Sequence, residues 1–222
     1  YLFGGTGDDL INTDASGSHY IGGGLGNDRI FVDGGGDTIL GGAGDDFISL
    51  DNADQTIVTG EEGDDTIFAT GMSAGENLLV AGELGNDYIF TDDGDDTIYG
   101  GAGIDTINGW GGDDLIIGDE GADILTGGMG ADTFTGHAND LDGDTITDFD
   151  LIEDKLVIDW GGGVPGAISV TDSGLDAIVT FGSYSLTLEN LGISLSELTS
   201  NLGAMFQIST VAGGLGTAGP DN

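Results

Sequence analysis

The sequence predicts an all-β solenoid. Three observations point there: a nine-residue beat from Tyr1 to about Thr135, glycines that recur with it, and one large apolar residue kept in register in every unit. The beat is plain in GGTGDDLIN (Gly4 to Asn12), GGAGDDFIS (Gly41 to Ser49), GGAGIDTIN (Gly100 to Asn108) and GGMGADTFT (Gly127 to Thr135). Its sixth position gives fourteen slots: Asp9, His19, Asp28, Asp37, Asp46, Gln55, Asp65, Asn77, Asp87, Asp96, Asp105, Asp114, Asp123 and Asp132. Two residues after each stands Ile11, Ile21, Ile30, Ile39, Ile48, Ile57, Ile67, Leu79, Ile89, Ile98, Ile107, Ile116, Leu125 or Phe134. A fixed period of this kind means stacked units, none able to bury its own apolar face alone.

Each element of the unit has a physical reason. Glycine reaches φ > 0 at little steric cost, so a glycine-rich turn can aim successive carbonyls inward. Hard cations such as calcium take six to eight oxygens and accept carbonyls beside carboxylates. The sixth-position aspartate supplies the charge. The eighth-position apolar residue, with its β-branched bias, suits a pleated strand whose side chain points into the core.

These units resemble the G-G-x-G-x-D-x-U-x nonapeptide of the RTX (repeats-in-toxin, haemolysin-type) proteins over roughly the first 135 residues. The resemblance implies a right-handed parallel β-roll of about seven coils of roughly 18 residues, with x-U-x triplets as short strands and calcium as the cofactor, several ions per chain. The implied metal-binding residues are Gly5, Gly7 and Asp9; Gly24, Gly26 and Asp28; Gly42, Gly44 and Asp46; Gly63 and Asp65; Gly85 and Asp87; Gly94 and Asp96. They continue with Gly101, Gly103 and Asp105; Gly112 and Asp114; Gly121 and Asp123; and Gly130 and Asp132.

Two units make one coil, so slots of the same parity stack on one edge. Every odd slot is aspartate, and each has glycine at the fourth position of its turn. Of the even slots, His19, Gln55 and Asn77 lack a carboxylate. A complete calcium column is expected along one edge and a partial one, mostly C-terminal, along the other. The poor turns are either drift in a degenerate repeat or a metal-free face.

Composition agrees. Asp and Glu number 41 against two basic residues, Arg29 and Lys155, for a net charge of −39 in 222 residues. Without cations such a chain repels itself, and its thin core cannot offset the ordering entropy. It is expected to be largely disordered when calcium is scarce. A solvated, halophile-like surface is the plainer reading of the charge beyond the repeats. The period of nine and two prolines exclude collagen. No apolar run approaches the roughly 18 residues of a membrane span. Cysteine is absent, which rules out a disulfide framework and fits a secreted bacterial chain relying on metal. The chain opens inside a repeat with YLFGG and no signal peptide, and reads as a fragment of something longer.

After Trp160 the composition changes, for 36 of the 41 acidic residues lie in residues 1–160. DGDTITDFDLIEDKLVIDW (Asp142 to Trp160) resembles the segment that closes the roll in secreted RTX metalloproteases, with Asp148 and Asp154 as candidates for one more cation. AISVT, AIVTF and YSLTLENL alternate as antiparallel strands, and SLSELTSNLGAMF reads as an amphipathic helix or a further strand. The expected organisation is a roll over 1–136, a cap and secretion-signal region over 137–210, and a flexible tail over 211–222.

No catalytic constellation is present. His19 and His137 lie in different segments, and no H-E-x-x-H or G-x-S-x-G motif occurs. Asp140, Asp142 and Asp144 are spaced like the start of an EF-hand, but Thr145 and Leu151 stand where glycine and glutamate are required, so the run is read as a turn. Outward positions on the odd sheet include Leu10, Phe31, Phe47, Phe68, Tyr88 and Phe90, an apolar stripe that is covered either by a separate partner at an interface or by the missing part of the protein or the cap itself. Two functions fit. The first is a non-enzymatic, calcium-triggered folding and secretion tail of a larger secreted protein. Its implied partners are the type I secretion apparatus and the missing amino-terminal part. The second is a building block of a bacterial surface layer, adhesin or filament, partnered by other copies of itself. Neither reading involves nucleic acid.

Overall fold

A computed structural model of the chain describes residues 1–14, 17–71, 76–161, 168–172, 176–191 and 206–209. Among these the protein is all-β, a parallel solenoid of about eight turns followed by a mixed-strand end. One sheet contains β1 (Leu2–Thr6), β3 (Tyr20–Leu25), β5 (Thr38–Ala43), β7 (Ile57–Glu62), β9 (Leu79–Leu84), β11 (Thr97–Ala102), β13 (Leu115–Glu120), β15 (Thr133–His137), β17 (Lys155–Asp159) and β21 (Phe206–Ser209). The facing sheet runs β2 (Leu10–Asn12), β4 (Arg29–Asp33), β6 (Phe47–Asp51), β8 (Thr66–Thr70), β10 (Tyr88–Phe90), β12 (Thr106–Asn108), β14 (Ile124–Thr126) and β16 (Thr145–Ile146). Each strand pairs with the strand one coil away, so every repeat contacts only its neighbours.

Strands alternate because the pleat sends successive side chains to opposite faces. Arg29–Asp33 and Thr66–Thr70 bury their second and fourth residues and expose their first, third and fifth to differing degrees. Ile30, Ile48, Ile67, Ile89 and Ile107 of one sheet meet Ile21, Ile39, Ile98, Ile116 and Phe134 of the other in a core one side chain thick per layer.

Two core positions differ from the sequence expectation. Ile57 and Leu79 are 43% and 40% exposed, whereas Val58 and Val80 are fully buried. The pairing is Ile39↔Val58, Val58↔Val80 and Ile98↔Val80. Thr56 and Leu78 therefore hold the sixth positions, in place of Gln55 and Asn77. Both QTIVT and NLLVA offer apolar residues in either register, so alternation cannot choose, and a slip of one residue exchanges the faces. The neighbouring strands choose. The signal was in the sequence: core residues of this sheet stand two places before the next turn's first glycine, as Ile39 does before Gly41 and Ile98 before Gly100. Counting back from Gly60 and Gly82 gives Val58 and Val80.

Parallel stacking continues past residue 136. β16 pairs with β14, and β17 pairs with β15 through five residue pairs ending at His137↔Asp159. The three antiparallel strands expected beyond are present as β18 (Ile168–Asp172), β19 (Ala177–Phe181) and β20 (Tyr184–Leu188). They are not a separate layer, because β20 adds in parallel to β16 through Thr145↔Thr187 and Ile146↔Leu188. The proposed helix or strand at 194–206 lies outside the described residues except for Phe206, which begins β21 beside β17. The tail beyond Ser209 is likewise outside them.

Candidate metal columns

The turn that follows each strand of the first sheet from β1 to β13 ends in an odd-slot aspartate, and these aspartates form a ladder. Each carboxylate Oδ1 accepts the backbone N–H of the equivalent residue one coil earlier: Asp28 from Asp9, Asp46 from Asp28, Asp65 from Asp46, Asp87 from Asp65, Asp105 from Asp87 and Asp123 from Asp105, all within 2.7–2.9 Å. An eighth member appears where a turn alone was expected, for Asp144 Oδ1 accepts the Asp123 N–H at 2.9 Å. The other carboxylate oxygen, Oδ2, is buried and unpartnered in all eight: Asp9, Asp28, Asp46, Asp65, Asp87, Asp105, Asp123 and Asp144.

The even edge is interrupted as expected, at corrected positions. His19 directs both its backbone N–H and its ring Nδ1 at Asp37 Oδ1, 2.5 and 3.1 Å away. The Asp37 N–H finds only the Thr56 hydroxyl at 3.3 Å. Leu78 offers no acceptor to the coil before it, and from Leu78 onward the ladder resumes through Asp96, Asp114, Asp132 and Asp154. Here the unpartnered Oδ2 atoms belong to Asp37, Asp114 and Asp132. Asp154 closes the column, but its second oxygen accepts the Asp150 N–H at 2.8 Å. Asp148 caps the last even turn, taking the Gly127 and Gly128 N–H groups at 3.0 and 2.8 Å.

A second ladder runs in the opposite sense one residue earlier in the odd turns. Asp8, Asn27, Asp45, Asp64 and Asn86 each accept, through Oδ1, the N–H of the equivalent residue one coil later. Every odd-edge step from Asp8–Asp9 to Asn86–Asp87 is thus held by hydrogen bonds in both directions. The recurrent Asp or Asn at the fifth position is its sequence signal.

Burial without a partner sets the electrostatics. Desolvation pushes Asp46 and Asp87 up to about 6, Asp65 and Asp123 to about 7, and Asp114 and Asp144 to about 8, from 3.8, against the lowering effect of the ladder hydrogen bond. Basic side chains do not offset this charge. Among the described residues the ion pairs are His19–Asp37 and His137–Asp159. A proton or a cation would relieve the burial cost of each orphaned Oδ2.

The oxygen set suits a hard cation. A Cβ placed on Gly4 would lie 2.6 Å from both Asp9 Oδ2 and the Gly23 carbonyl oxygen, and one on Gly41 would meet Asp46 Oδ2 and the Gly60 carbonyl oxygen at 2.5 and 2.6 Å. The absent side chain lets a carboxylate and the next coil's carbonyl converge, and Gly5, Gly24, Gly42 and Gly101 take φ of 110–120° beside them. No three Asp, Glu, His or Cys side chains gather as a metal group among the described residues. The donors are one carboxylate per coil plus backbone carbonyls, the hard-oxygen chemistry that calcium accepts.

The family model described as "RTX calcium-binding nonapeptide repeat (4 copies)" matches residues 1–16, 22–54, 56–71, 79–107 and 109–140, more than half of the chain. The chain belongs to the RTX calcium-binding nonapeptide repeat family. The RTX match stops short of Asp144, Asp148 and Asp154. No curated protein matches the chain. Among solved structures, the extracellular lipase LipA from Serratia marcescens is similar at 20% identity and a TM-score of 0.36, covering 82% of this chain. The chain spans 40% of the length of that structure.

The outward stripe takes the positions expected of it on the second sheet. Leu10, Phe31, Phe68 and Tyr88 are exposed, and Phe47 and Phe90 half-buried. Ring centroids lie 5.7 Å apart for Phe31–Phe47, 5.8 Å for Phe68–Phe90 and 5.2 Å for Tyr88–Phe90. The opposite sheet is also apolar outside, with Tyr20, Ile57, Leu79 and Tyr99 exposed. No helix among the described residues is long and apolar enough to cross a membrane.

Proposed function

We propose that this chain is a non-enzymatic extracellular module that folds when calcium fills its aspartate columns after type I secretion, and that it serves as the folding and stabilising tail of a larger secreted bacterial protein. The observation that carries this reading is the column of eight carboxylates, each with one buried oxygen unpartnered. Turn carbonyls and Oδ2 atoms would hold the ions, neutralising a chain of net charge −39 and clamping coil to coil. Extracellular calcium modules bind at roughly 10⁻⁴ to 10⁻³ M, so such columns load outside the cell and stay empty at cytosolic calcium. The secretion role rests on family membership and on this calcium dependence. A surface-layer or filament block is the second reading, favoured by the apolar residues exposed on both outer faces.

Circular dichroism tests the folding switch. In chelator the chain is expected to be coil-like, and millimolar calcium should raise the β-signal cooperatively, with magnesium a poor substitute because it demands octahedral coordination and keeps its waters. A full β-spectrum in chelator would end this reading. Sedimentation of the calcium form addresses the second, which requires self-association.

A further inference from the structure

We propose that the outer face of the first sheet carries a docking trough for an extended cationic segment of another protein, one with a basic residue at every third position. This goes beyond the reading above, from which it takes only the folded roll.

The trough crosses strands β3 to β13. Two hollows of about 610 and 360 Å³ share Thr59 and Glu83, and so form one channel along the axis of the roll. Its lining is largely apolar, with Ile57, Leu79 and Tyr99 exposed in it.

One wall is acidic. At the fifth position of these strands the paired residues run Gly24, Gly42, Glu61, Glu83, Gly101 and Asp119. Glycine suits the position, since a Cβ on Gly42 or Gly101 would lie 2.2 Å from the carbonyl oxygen of the coil before. Glu61, Glu83 and Asp119 nonetheless stand there with φ of 82°, 81° and 66°, a region that residues other than glycine rarely enter. Glu61 and Glu83 are also paired on adjacent strands, ~4.8 Å apart, where like charges repel. Acids at this position work against folding, and what the three share is that they line the channel.

The charge selects the occupant. Neither of the chain's basic residues, Arg29 of β4 and Lys155 of β17, lines the trough. A second copy brings the same two basic residues against 41 acidic ones, so it cannot supply the cations. A segment bearing arginine or lysine can, with apolar residues between them to cover Ile57 and Leu79 and a guanidinium to meet the Tyr99 ring. Glu83 and Asp119 stand two coils apart, ~9.6 Å at the usual strand spacing. A polyproline II segment repeats every three residues in ~9.3 Å, so basic side chains one turn apart reach both.

The test is fluorescence anisotropy of a labelled nonapeptide, Arg-Leu-Pro repeated three times, with the full chain in millimolar calcium. Salt of about 0.15 M screens long-range attraction to the net charge of −39. The variant Glu61→Gln, Glu83→Gln, Asp119→Asn should bind about ten-fold more weakly or worse. A control, Asp33→Asn, Asp51→Asn, Glu153→Gln, removes the same charge, including an exposed paired couple on the second sheet, and should change binding less than about two-fold. Equal losses in the two variants, or a parent that does not bind, would overturn the proposal. So would self-association of the parent that the first variant abolishes, which makes a second copy the occupant, or a calcium ion lost from the first variant in equilibrium dialysis, which makes the wall a metal site. Should the first variant fail to fold, Glu61→Gly, Glu83→Gly, Asp119→Gly supplies the residue the neighbouring coils carry, and must show the same ten-fold loss.

Discussion

Asp87→Asn separates the two tasks of a column aspartate. The carboxamide keeps an oxygen for the Asp65 N–H, now bonded at 2.8 Å, and replaces the buried orphan Oδ2 with an NH₂ group that cannot ligate a cation. At free calcium 100 times the dissociation constant, one lost site removes about 2.7 kcal/mol, or about a hundred-fold in the folding constant. Seven ladder bonds join the eight odd-column aspartates. If each marks one ion, the calcium midpoint of a concerted transition moves only by the seventh root of that factor, about two-fold. Urea unfolding at a fixed ~10 mM calcium is therefore the sensitive assay, with a loss of about 2.7 kcal/mol expected. Asp87→Ala should lose about 1–3 kcal/mol more, because the Asp65 N–H is then buried without an acceptor. In chelator at pH 7.5, where the parent is expected to be coil-like, the asparagine variant should keep at least as much residual β-signal as the parent. Burial pushes Asp87 up to about 6, so at pH 7.5 the amide removes an uncompensated charge. An asparagine variant equal to the parent in calcium would refute the reasoning.

Register gives a second contrast. Val58→Ala should cost about 2 kcal/mol in calcium by urea unfolding, and Ile57→Ala less than about 1 kcal/mol; the reverse order would restore the register counted forward from Asp37. The pH dependence of the metal-free fold has a defined sign. Asp65, Asp114, Asp123 and Asp144 have folded values of about 7 to 8 against an unfolded 3.8. Their contribution is fully present below 3.8 and is lost as pH rises through about 7 to 8. β-Structure in chelator should thus decline from pH 4 to pH 8, whereas in calcium acid should weaken it as protons compete for the same oxygens. Metal-free stability that rises with pH would contradict the burial of these groups.

By itself the sequence determined the architecture. A nine-residue glycine and aspartate beat with one apolar residue per unit leaves stacking as the only way to bury that residue, and odd and even parity alone marked one edge as continuous and the other as broken. It did not determine register where two apolar residues adjoin. Ile57 and Val58, like Leu79 and Val80, are equally greasy to a pattern count, and only pairing with Ile39 and Ile98 tells them apart. Nor did it reveal Asp144 as a column member, because the 21 residues separating it from Asp123 carry no glycine pair in the final turn. Local spacing is legible when each turn uses the same backbone solution. When a loop reaches the same point in space by another route, only the neighbouring coil, through its hydrogen bonds, decides which carboxylate completes the column.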